Sequence, residues 1–205
     1  MGVACTFVHA SPAAAQSAPA PAPAPAFGAA RTAAQKDNAR FDPTFKKYTK
    51  RHFGIAFDWR HFKAQAMAES QLKPDAESRV GAKGLMQLMP STFNAIASQR
   101  PEFTSIDDPE WNIAAGIMHD RYLWKLWEPA IAEPQRPAFM FASYNAGEGT
   151  ITRATAAARA QQLDQTEWES IVRVAPAVPK WRYRETLEYV RKIDAYYNAL
   201  SSRQP

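Results

Sequence analysis

Residues 58–70 read DWRHFKAQAMAES, and a short way along the chain residues 81–90 read GAKGLMQLMP. In the first stretch, Phe62, Ala66 and Glu69 are spaced by four and then three residues, so a helix would carry all three on one face. The second stretch is apolar and contains Gly81 and Gly84, which are best explained by the backbone shape of a loop rich in N–H donors. Together the two stretches predict a carboxyl group at the end of a buried helix, facing a glycine-rich loop.

Residue types also predict where this helix begins and ends. Asp58 is a good N-cap residue, which makes Trp59 the first helical residue. Pro74 lies beyond the last apolar position and limits how far the helix can run. Lys63 and Gln65 lie off the line of the predicted buried face.

Spacing alone leaves two interpretations of Glu69. Most glutamates are solvated, and a solvated residue in the last helical turn is the first interpretation. The second is a buried acid that keeps its proton, because apolar surroundings disfavour the charged form. The helix dipole disfavours a carboxylate at this end, which gives weak support to a special role. A carboxylic acid that is protonated at neutral pH can transfer its proton to a leaving group.

Five segments occur in a fixed order between about residue 58 and about residue 193: Ala68–Ser70, Ser78–Thr92, Asp108–Gly116, Phe141–Gly147 and Glu185–Val190. Together they resemble the soluble lytic transglycosylase family, whose fold is related to goose-type lysozyme. An isolated Glu-Ser pair would be uninformative, and an isolated GLMQ run nearly so. The full set in order is specific.

The resemblance implies cleavage of the β-1,4 bond between N-acetylmuramic acid and N-acetylglucosamine in peptidoglycan. The C6 hydroxyl of the muramic acid would attack its own anomeric carbon, so no water is consumed and a 1,6-anhydro end forms. Glu69 would first protonate the bridging oxygen and then, ionised, accept the hydroxyl proton. A hydrolase would need a second carboxylate, and the nearby candidates Asp75 and Glu77 lie in a stretch typical of a polar loop.

The resemblance also assigns substrate-binding residues in the second segment. Ser78, Gln87 and Met89 would line the groove around the reacting sugar, with Ser78 and Gln87 bonding to N-acetyl or stem groups. For Met89, groove lining and core filling are equally good interpretations, whereas Met86 is better explained by core filling.

Tyr144 and Asn145 are the candidates from the fourth segment. Tyr144 would either orient Glu69 or contact the sugar. Asn145 would contact substrate, although closing the turn before Gly147 explains it equally well. Ser143 stands where the family more often has alanine.

The remaining apolar periodicity is helical. It predicts helices from Pro90 through Ile96, from Ile113 to Trp127, from Ala138 to Tyr144 and from Leu187 to Leu200. The third of these should stop at Gly147-Glu-Gly149, and the apolar stripe of the second includes Leu126. We expect a mainly α, lysozyme-like single domain with at most a very short β hairpin or sheet near residues 78–88.

Composition divides the chain into two parts. Residues 1–30 contain no charged side chain, and residues 18–26 read APAPAPAPA, which favours an extended polyproline II spacer. We expect residues 1–40 to be a signal-like remnant followed by an Ala/Pro-rich disordered linker, and residues 41–205 to be the catalytic domain. The resemblance implies export to the periplasm or the cell wall of a bacterium. No apolar run is long enough for a stable membrane span.

Other chemistries find little support. The four histidines have no HExxH pattern or close pairing, so we expect no metal, and no nucleotide-binding glycine pattern suggests a cofactor. The net charge of +5 suits an acidic polymer, and no nucleic-acid-binding motif accompanies it. The resemblance implies that the partner is the glycan strand of peptidoglycan, bound by a monomer, with a place in a wall-spanning machine left open.

Two alternatives also remain open. One is a lysozyme-like muramidase on the same fold, which the lack of a compelling second carboxylate argues against. The other is a non-catalytic wall-binding component of a secretion or phage assembly, which the presence of Glu69 argues against.

Overall fold

The computed structural model describes residues 39–202, and all regular secondary structure in that range is helical. The helices are α1 Asp42–Phe53, α2 Arg60–Ser70, α3 Pro90–Ala97, α4 Pro109–Trp127, α5 Arg136–Ala146, α6 Glu148–Ala160, α7 Trp168–Val174, a 3₁₀ turn Ala175–Ala177 and α8 Tyr183–Ser201. Isolated β-bridges join Lys83 to Glu77 and to Leu88, where the sequence predicted at most a short hairpin. The prediction of a mainly α fold is confirmed.

The proposed division at residue 40 lies at the edge of the described range. Residues 1–38, which hold the Ala/Pro-rich run, lie outside it, so the two-part organisation stays a prediction. Phe41 is buried and its carbonyl accepts a hydrogen bond from Phe45 N–H, which makes it part of the folded domain.

Helix α2 has nearly the predicted bounds. The helix begins at Arg60 with Trp59 at the N-cap position, one residue later than predicted, and Asp58 Oδ1 still accepts a hydrogen bond from Arg60 N–H at 3.0 Å. The helix ends at Ser70, and Gln71 takes the left-handed conformation with φ of 56°.

Burial of α2 is broader than the sequence suggested. Lys63 and Gln65 lie off the predicted face, yet both are buried. Helix α2 packs against α8 and α1, and Gln65 reaches α4, so neighbours cover it on several sides. Lys63 is accommodated because its ammonium forms an ion pair with Asp42 on α1. Apolar residues on one face only are typical of a surface helix. Helix α2 is central, so residues off that face are buried as well.

The other predicted helices are present with differences at single positions. Leu126 is exposed, whereas its neighbours Leu123 and Trp127 in the same stripe are buried. Helix α5 stops before Gly147, as predicted, but Glu148 immediately begins α6 and Gly149 is helical. Helices α1, α6 and α7 were not predicted. Two of the three buried residues of α6 are alanines, which leave a weak apolar pattern.

The loop between α2 and α3 is held by one buried side chain of α4. Asn112 Oδ1 accepts a hydrogen bond from Met86 N–H at 2.8 Å, and its Nδ2 donates to the carbonyls of Lys83 and Ile106 at 3.0 Å each. Gly84 has a φ of +76° and lies so close to this amide that a Cβ there would come within 3.0 Å of it. The two residues together fix the loop against the core.

Replacing Gly84 with alanine should destabilise the fold by about 2–4 kcal/mol, since strain at a positive φ adds to a clash with Asn112. The matched control is Gly81→Ala, where φ is +84° but an added Cβ would meet nothing within 4 Å. That control should cost only the backbone strain of about 1–2 kcal/mol. Urea denaturation measures both, and equal losses would contradict the role of Asn112.

Candidate active site

Glu69 lies in the last turn of α2, where its carboxyl group faces α8. Its Oε1 accepts a hydrogen bond from the Tyr189 hydroxyl at 2.6 Å. The side chain is partly exposed, but the surrounding protein removes enough water that burial raises the pKa of Glu69 from 4.5 to about 7, against the opposing effect of the Tyr189 hydrogen bond. A carboxyl group with this pKa can give and take a proton near neutral pH.

Tyr144 and Ser70 tie the glycine-rich loop to the helices around Glu69. The Tyr144 hydroxyl donates to the Met86 carbonyl at 2.8 Å, and Ser70 Oγ donates to the Leu85 carbonyl at 2.9 Å. Burial raises the pKa of Tyr144 well above 10, and the charge of Glu69 raises it further, so the two side chains interact electrostatically. Its hydroxyl is nevertheless bonded to the loop, so the direct partner of Glu69 is Tyr189.

Two further predicted residues also brace this loop. Ser78 Oγ accepts a hydrogen bond from Ala82 N–H at 2.9 Å. Gln87, at a φ of 45°, donates from Nε2 to the carbonyls of Ala76 and Gly84 at 3.1 and 3.0 Å. Each side chain thus fixes the backbone, and Gln87 Oε1 is the atom of its amide that remains for a ligand.

Met86 and Met89 have opposite environments. Met86 is fully buried, as core filling predicted, whereas Met89 is 41% exposed at the N-terminus of α3. An exposed thioether beside the loop is suited to contacting a sugar face rather than filling the core.

Asn145 connects α5 to α8 rather than closing its own turn. Its Oδ1 accepts from the Thr186 hydroxyl at 2.8 Å, and Thr186 Oγ1 accepts from Trp181 Nε1 at 3.0 Å. The turn itself is closed by the backbone bond from Gly147 N–H to the Ser143 carbonyl. Asn145 is exposed and lines a cavity of about 190 Å³, so its Nδ2 has access to a ligand.

Tyr189 was not assigned a role from the sequence. The segment Glu185–Val190 supports the family resemblance without assigning a role to any of its residues. The apolar spacing of the last helix includes Leu187 and Val190 and passes over Tyr189. The sequence signal for it was the tyrosine within that segment, beside the apolar Val190. The structure buries Tyr189, and a buried tyrosine hydroxyl needs a polar partner.

A second carboxyl group near Glu69 was also missed. Asp120 on α4 has no exposed surface, and its Oδ1 accepts from Gln65 Nε2 at 3.3 Å. Burial raises the pKa of Asp120 well above 3.8, and the charge of Glu69 raises it further. Asp120 therefore lies within electrostatic reach of Glu69 but cannot contact water or substrate. The sequence candidates Asp75 and Glu77 are exposed and line a separate cavity of about 390 Å³.

A larger cavity, of about 570 Å³, lies at the opposite end of α2, with Phe57, Asp58, His61 and Trp124 in its walls. Glu69 is not part of it. Burial opposes ionisation of Asp58 there, but hydrogen bonds from Arg60 and Tyr197 lower its pKa, so this carboxylate is a poor proton donor. The candidate active site is therefore at Glu69, whose raised pKa allows proton transfer, and not at the larger cavity.

Residues 39–202 contain neither a metal-binding cluster nor a helix suited to a bilayer. No three or more His, Cys, Asp or Glu side chains in that range are grouped so as to hold a metal ion. In the same range, none of the helices combines the length and the apolar character needed to span a bilayer.

Residues 47–166 match the sequence model of the family described as the transglycosylase SLT domain. The chain belongs to this family. The match includes Glu69, the glycine-rich loop and Tyr144, and it ends before α8, which carries Tyr189. The resemblance inferred from the five segments is therefore confirmed.

Relatives and solved structures agree with this assignment. The chain is 32% identical over 179 residues to the membrane-bound lytic murein transglycosylase F of Desulfosudis oleivorans, a match that covers 80% of this chain and 37% of the relative. It is 28% identical to the 70 kDa soluble lytic transglycosylase of Escherichia coli, with a TM-score of 0.59 over 80% of this chain and 25% of that chain. A 70 kDa soluble lytic transglycosylase solved with bulgecin A gives 27% identity and a TM-score of 0.61 over 83% of this chain and 26% of that chain.

These matches confirm the expected lysozyme-like fold of the soluble lytic transglycosylases. The chain spans little more than a third of the length of the curated relatives it matches, and about a quarter of the solved chains.

Replacing Glu69 with glutamine should stabilise the fold, and more so at high pH. Because the folded-state pKa is raised from 4.5 to about 7, the stability that protonated Glu69 contributes is complete below pH 4.5 and lost as pH rises through 7. The gain in the free energy of unfolding should therefore grow across this window and level off at about 3 kcal/mol.

Urea denaturation of both proteins at pH 5 and pH 8 measures this gain. The matched control is Glu169→Gln, which changes an exposed glutamate of α7. The same pH dependence in the two variants would contradict the prediction.

Proposed function

We propose that this domain cleaves the bond between N-acetylmuramic acid and N-acetylglucosamine in peptidoglycan as a lytic transglycosylase, leaving a 1,6-anhydromuramic acid end. The observation that carries this proposal is the carboxyl group of Glu69, whose pKa is raised to about 7. The neighbouring acid Asp120 is inaccessible, with 0% of its surface exposed. A single accessible carboxyl group with a pKa near neutral pH suits a reaction in which one residue is first acid and then base.

The Tyr189 hydrogen bond gives the two oxygens of Glu69 different tasks. In a neutral carboxylic acid, the carbonyl oxygen is the better acceptor and the other oxygen carries the proton. Because Oε1 accepts from Tyr189, Oε2 is the oxygen that donates the proton to the bridging oxygen. After that transfer the carboxylate takes the proton of the attacking C6 hydroxyl, and Tyr189 stabilises its charge.

The predicted binding residues fit this reaction as supports and contacts. Ser78, Gln87 and Tyr144 hold the loop in shape, and the free acceptor of Gln87 bonds to an N-acetyl or stem N–H. Met89 contacts the apolar face of a sugar ring, and Asn145 offers Nδ2 to an oxygen. Preorganised groups of this kind cost less entropy when the strand binds.

Relatives support the substrate and the compartment. The curated relatives are named as membrane-bound enzymes acting on murein, and a solved neighbour was crystallised with bulgecin A. By analogy, this domain binds glycan strands outside the cytoplasm, in the periplasm or at the wall. It acts without a metal or cofactor, since Glu69 supplies both proton transfers.

The muramidase alternative differs only in what attacks the anomeric carbon. A hydrolase on this fold would need a second carboxylate to activate water or to form a covalent intermediate. Asp120 is excluded from that task by its complete burial. The products therefore decide between the two functions.

Digests of purified peptidoglycan should contain muropeptides that end in 1,6-anhydromuramic acid, each lighter by one water than the hydrolytic product. Mass spectrometry of the soluble products measures this. Glu69→Gln is the control and should lose about 10²–10⁴ in rate, because the amide keeps the shape but moves no proton. Products with reducing-end muramic acid alone would establish the muramidase instead.

Replacing Tyr189 with phenylalanine should raise the pKa of Glu69, because the hydrogen bond that favours the carboxylate is lost. The basic limb of kcat/KM against pH should move to higher pH, and the rate should fall about tenfold as the carboxyl group loses its orientation. The pH–rate profile of the purified domain on soluble glycan fragments measures both effects.

Tyr197→Phe is the matched control for this variant. Tyr197 lies on the same helix and also donates to a carboxylate, Asp58, at the far end of α2. Its replacement should leave the basic limb in place. A similar shift in both variants would assign the effect to α8 packing and not to the Tyr189 hydrogen bond.

A further inference from the structure

A buried pair of polar side chains lies beneath the candidate active site. Gln65 on α2 and Asp120 on α4 are both 0% exposed, and Gln65 Nε2 donates to Asp120 Oδ1 at 3.3 Å. Gln65 is one helical turn before Glu69, so the pair anchors the part of α2 that carries the proposed acid. Gln65 Oε1 and Asp120 Oδ2 have no hydrogen-bond partner among residues 39–202.

A single proton would satisfy both orphaned oxygens. A carboxylic acid and a primary amide have complementary edges: the amide N–H donates to the acid carbonyl, and the acid O–H donates to the amide carbonyl. An ionised Asp120 has no proton to offer, and Gln65 Oε1 would then remain buried and unpaired beside a buried charge. Both costs are among the largest that a protein interior imposes.

The charges around Asp120 do not offer an alternative. Among the described residues Asp120 forms no ion pair. The nearby basic side chains have other contacts: Arg121 lies over Phe53, and on α2 Arg60 pairs with Asp58 and Lys63 with Asp42. A buried carboxylate without a cation is unfavourable in a folded protein.

The other titratable groups around this interior carry no positive charge at neutral pH. Tyr144 on α5 and Tyr189 on α8 both have pKa values that burial raises well above 10, and burial lowers the pKa of His119, the neighbour of Asp120. Helix α1 contributes Tyr48, whose hydroxyl is bonded to Glu110 at the start of α4. Glu69 itself can only add negative charge.

We propose that Asp120 is protonated at neutral pH and forms a cyclic acid–amide pair with Gln65, which makes both of them positioning residues for Glu69. The pair fixes α2 against α4 one turn below the reacting carboxyl group, and it does so without placing a second negative charge there. The kinetic part rests on the proposed function of Glu69. The protonation and pairing of Asp120 do not.

Infrared difference spectroscopy tests the protonation without any turnover. In a Glu69→Gln background, the spectrum at pH 7.5 should contain a carboxylic acid C=O band that disappears on adding Asp120→Asn. The Glu69→Gln change removes the other buried acid of the site, so the difference belongs to Asp120. Absence of this band would overturn the proposal whatever the enzyme proves to catalyse.

The pH–rate profile tests the electrostatic part. Asparagine keeps a neutral group that can pair with the Gln65 amide, so Asp120→Asn should leave the basic limb within about 0.3 pH units and kcat within about threefold. If Asp120 were ionised, its removal would lower the pKa of Glu69 by about one unit or more, because like charges disfavour each other. A shift of that size would overturn the proposal.

A pair of apolar variants separates positioning from packing. Asp120→Leu leaves Gln65 unpaired and should lower both the melting temperature and kcat, with KM little changed. Adding Gln65→Leu removes both polar partners and should restore the melting temperature but not kcat. Recovery of kcat in the double variant would show that the pair only fills space. Asp120→Asn, which keeps the polar pairing, is the variant that must stay active.

Discussion

Desolvation of one carboxyl group is the constraint on which the rest of this structure depends. Glu69 sits where α2 meets α8, and burial there raises its pKa to about 7. In water the same side chain would be ionised at neutral pH and unable to donate a proton. The packing around the end of α2 therefore keeps Glu69 largely protonated near pH 7 as well as forming part of the core. The hydrogen bond from Tyr189 opposes this rise, because it favours the ionised form of Glu69.

The glycine-rich loop is shaped by side chains that a sequence comparison would count as ligand contacts. The side chains of Ser78, Gln87 and Tyr144 form hydrogen bonds with the loop backbone, and Asn112 on α4 does the same. A loop without regular strands has few backbone partners of its own, so side chains supply them. Substitutions at these positions will therefore change stability and activity together, and kinetic effects there have to be compared with unfolding data.

Two carboxyl groups of the domain are both desolvated but differ in their exposure to solvent. Glu69 and Asp120 are both desolvated, but only Glu69 is reachable from solvent. Each accepts one hydrogen bond from a neighbouring helix, Asp120 from Gln65 on α2 and Glu69 from Tyr189 on α8. Exposure to solvent, and not the direction of the pKa shift, therefore distinguishes the two carboxyl groups.

The sequence by itself determined the helical class, the family and the position of the candidate acid. Spacing placed Glu69 at the end of α2, and capping by Asp58 fixed the start of that helix to within one residue, because both are local properties of the backbone. Only the tertiary structure decided which groups surround the acid. Tyr189 and Asp120 are 120 and 51 positions away from Glu69 along the chain, and no local periodicity reports which helices pack together. Gln65 is buried for the same reason, although it lies off the predicted buried face of α2. A central helix is covered on several sides, and its own sequence does not indicate which helices cover it.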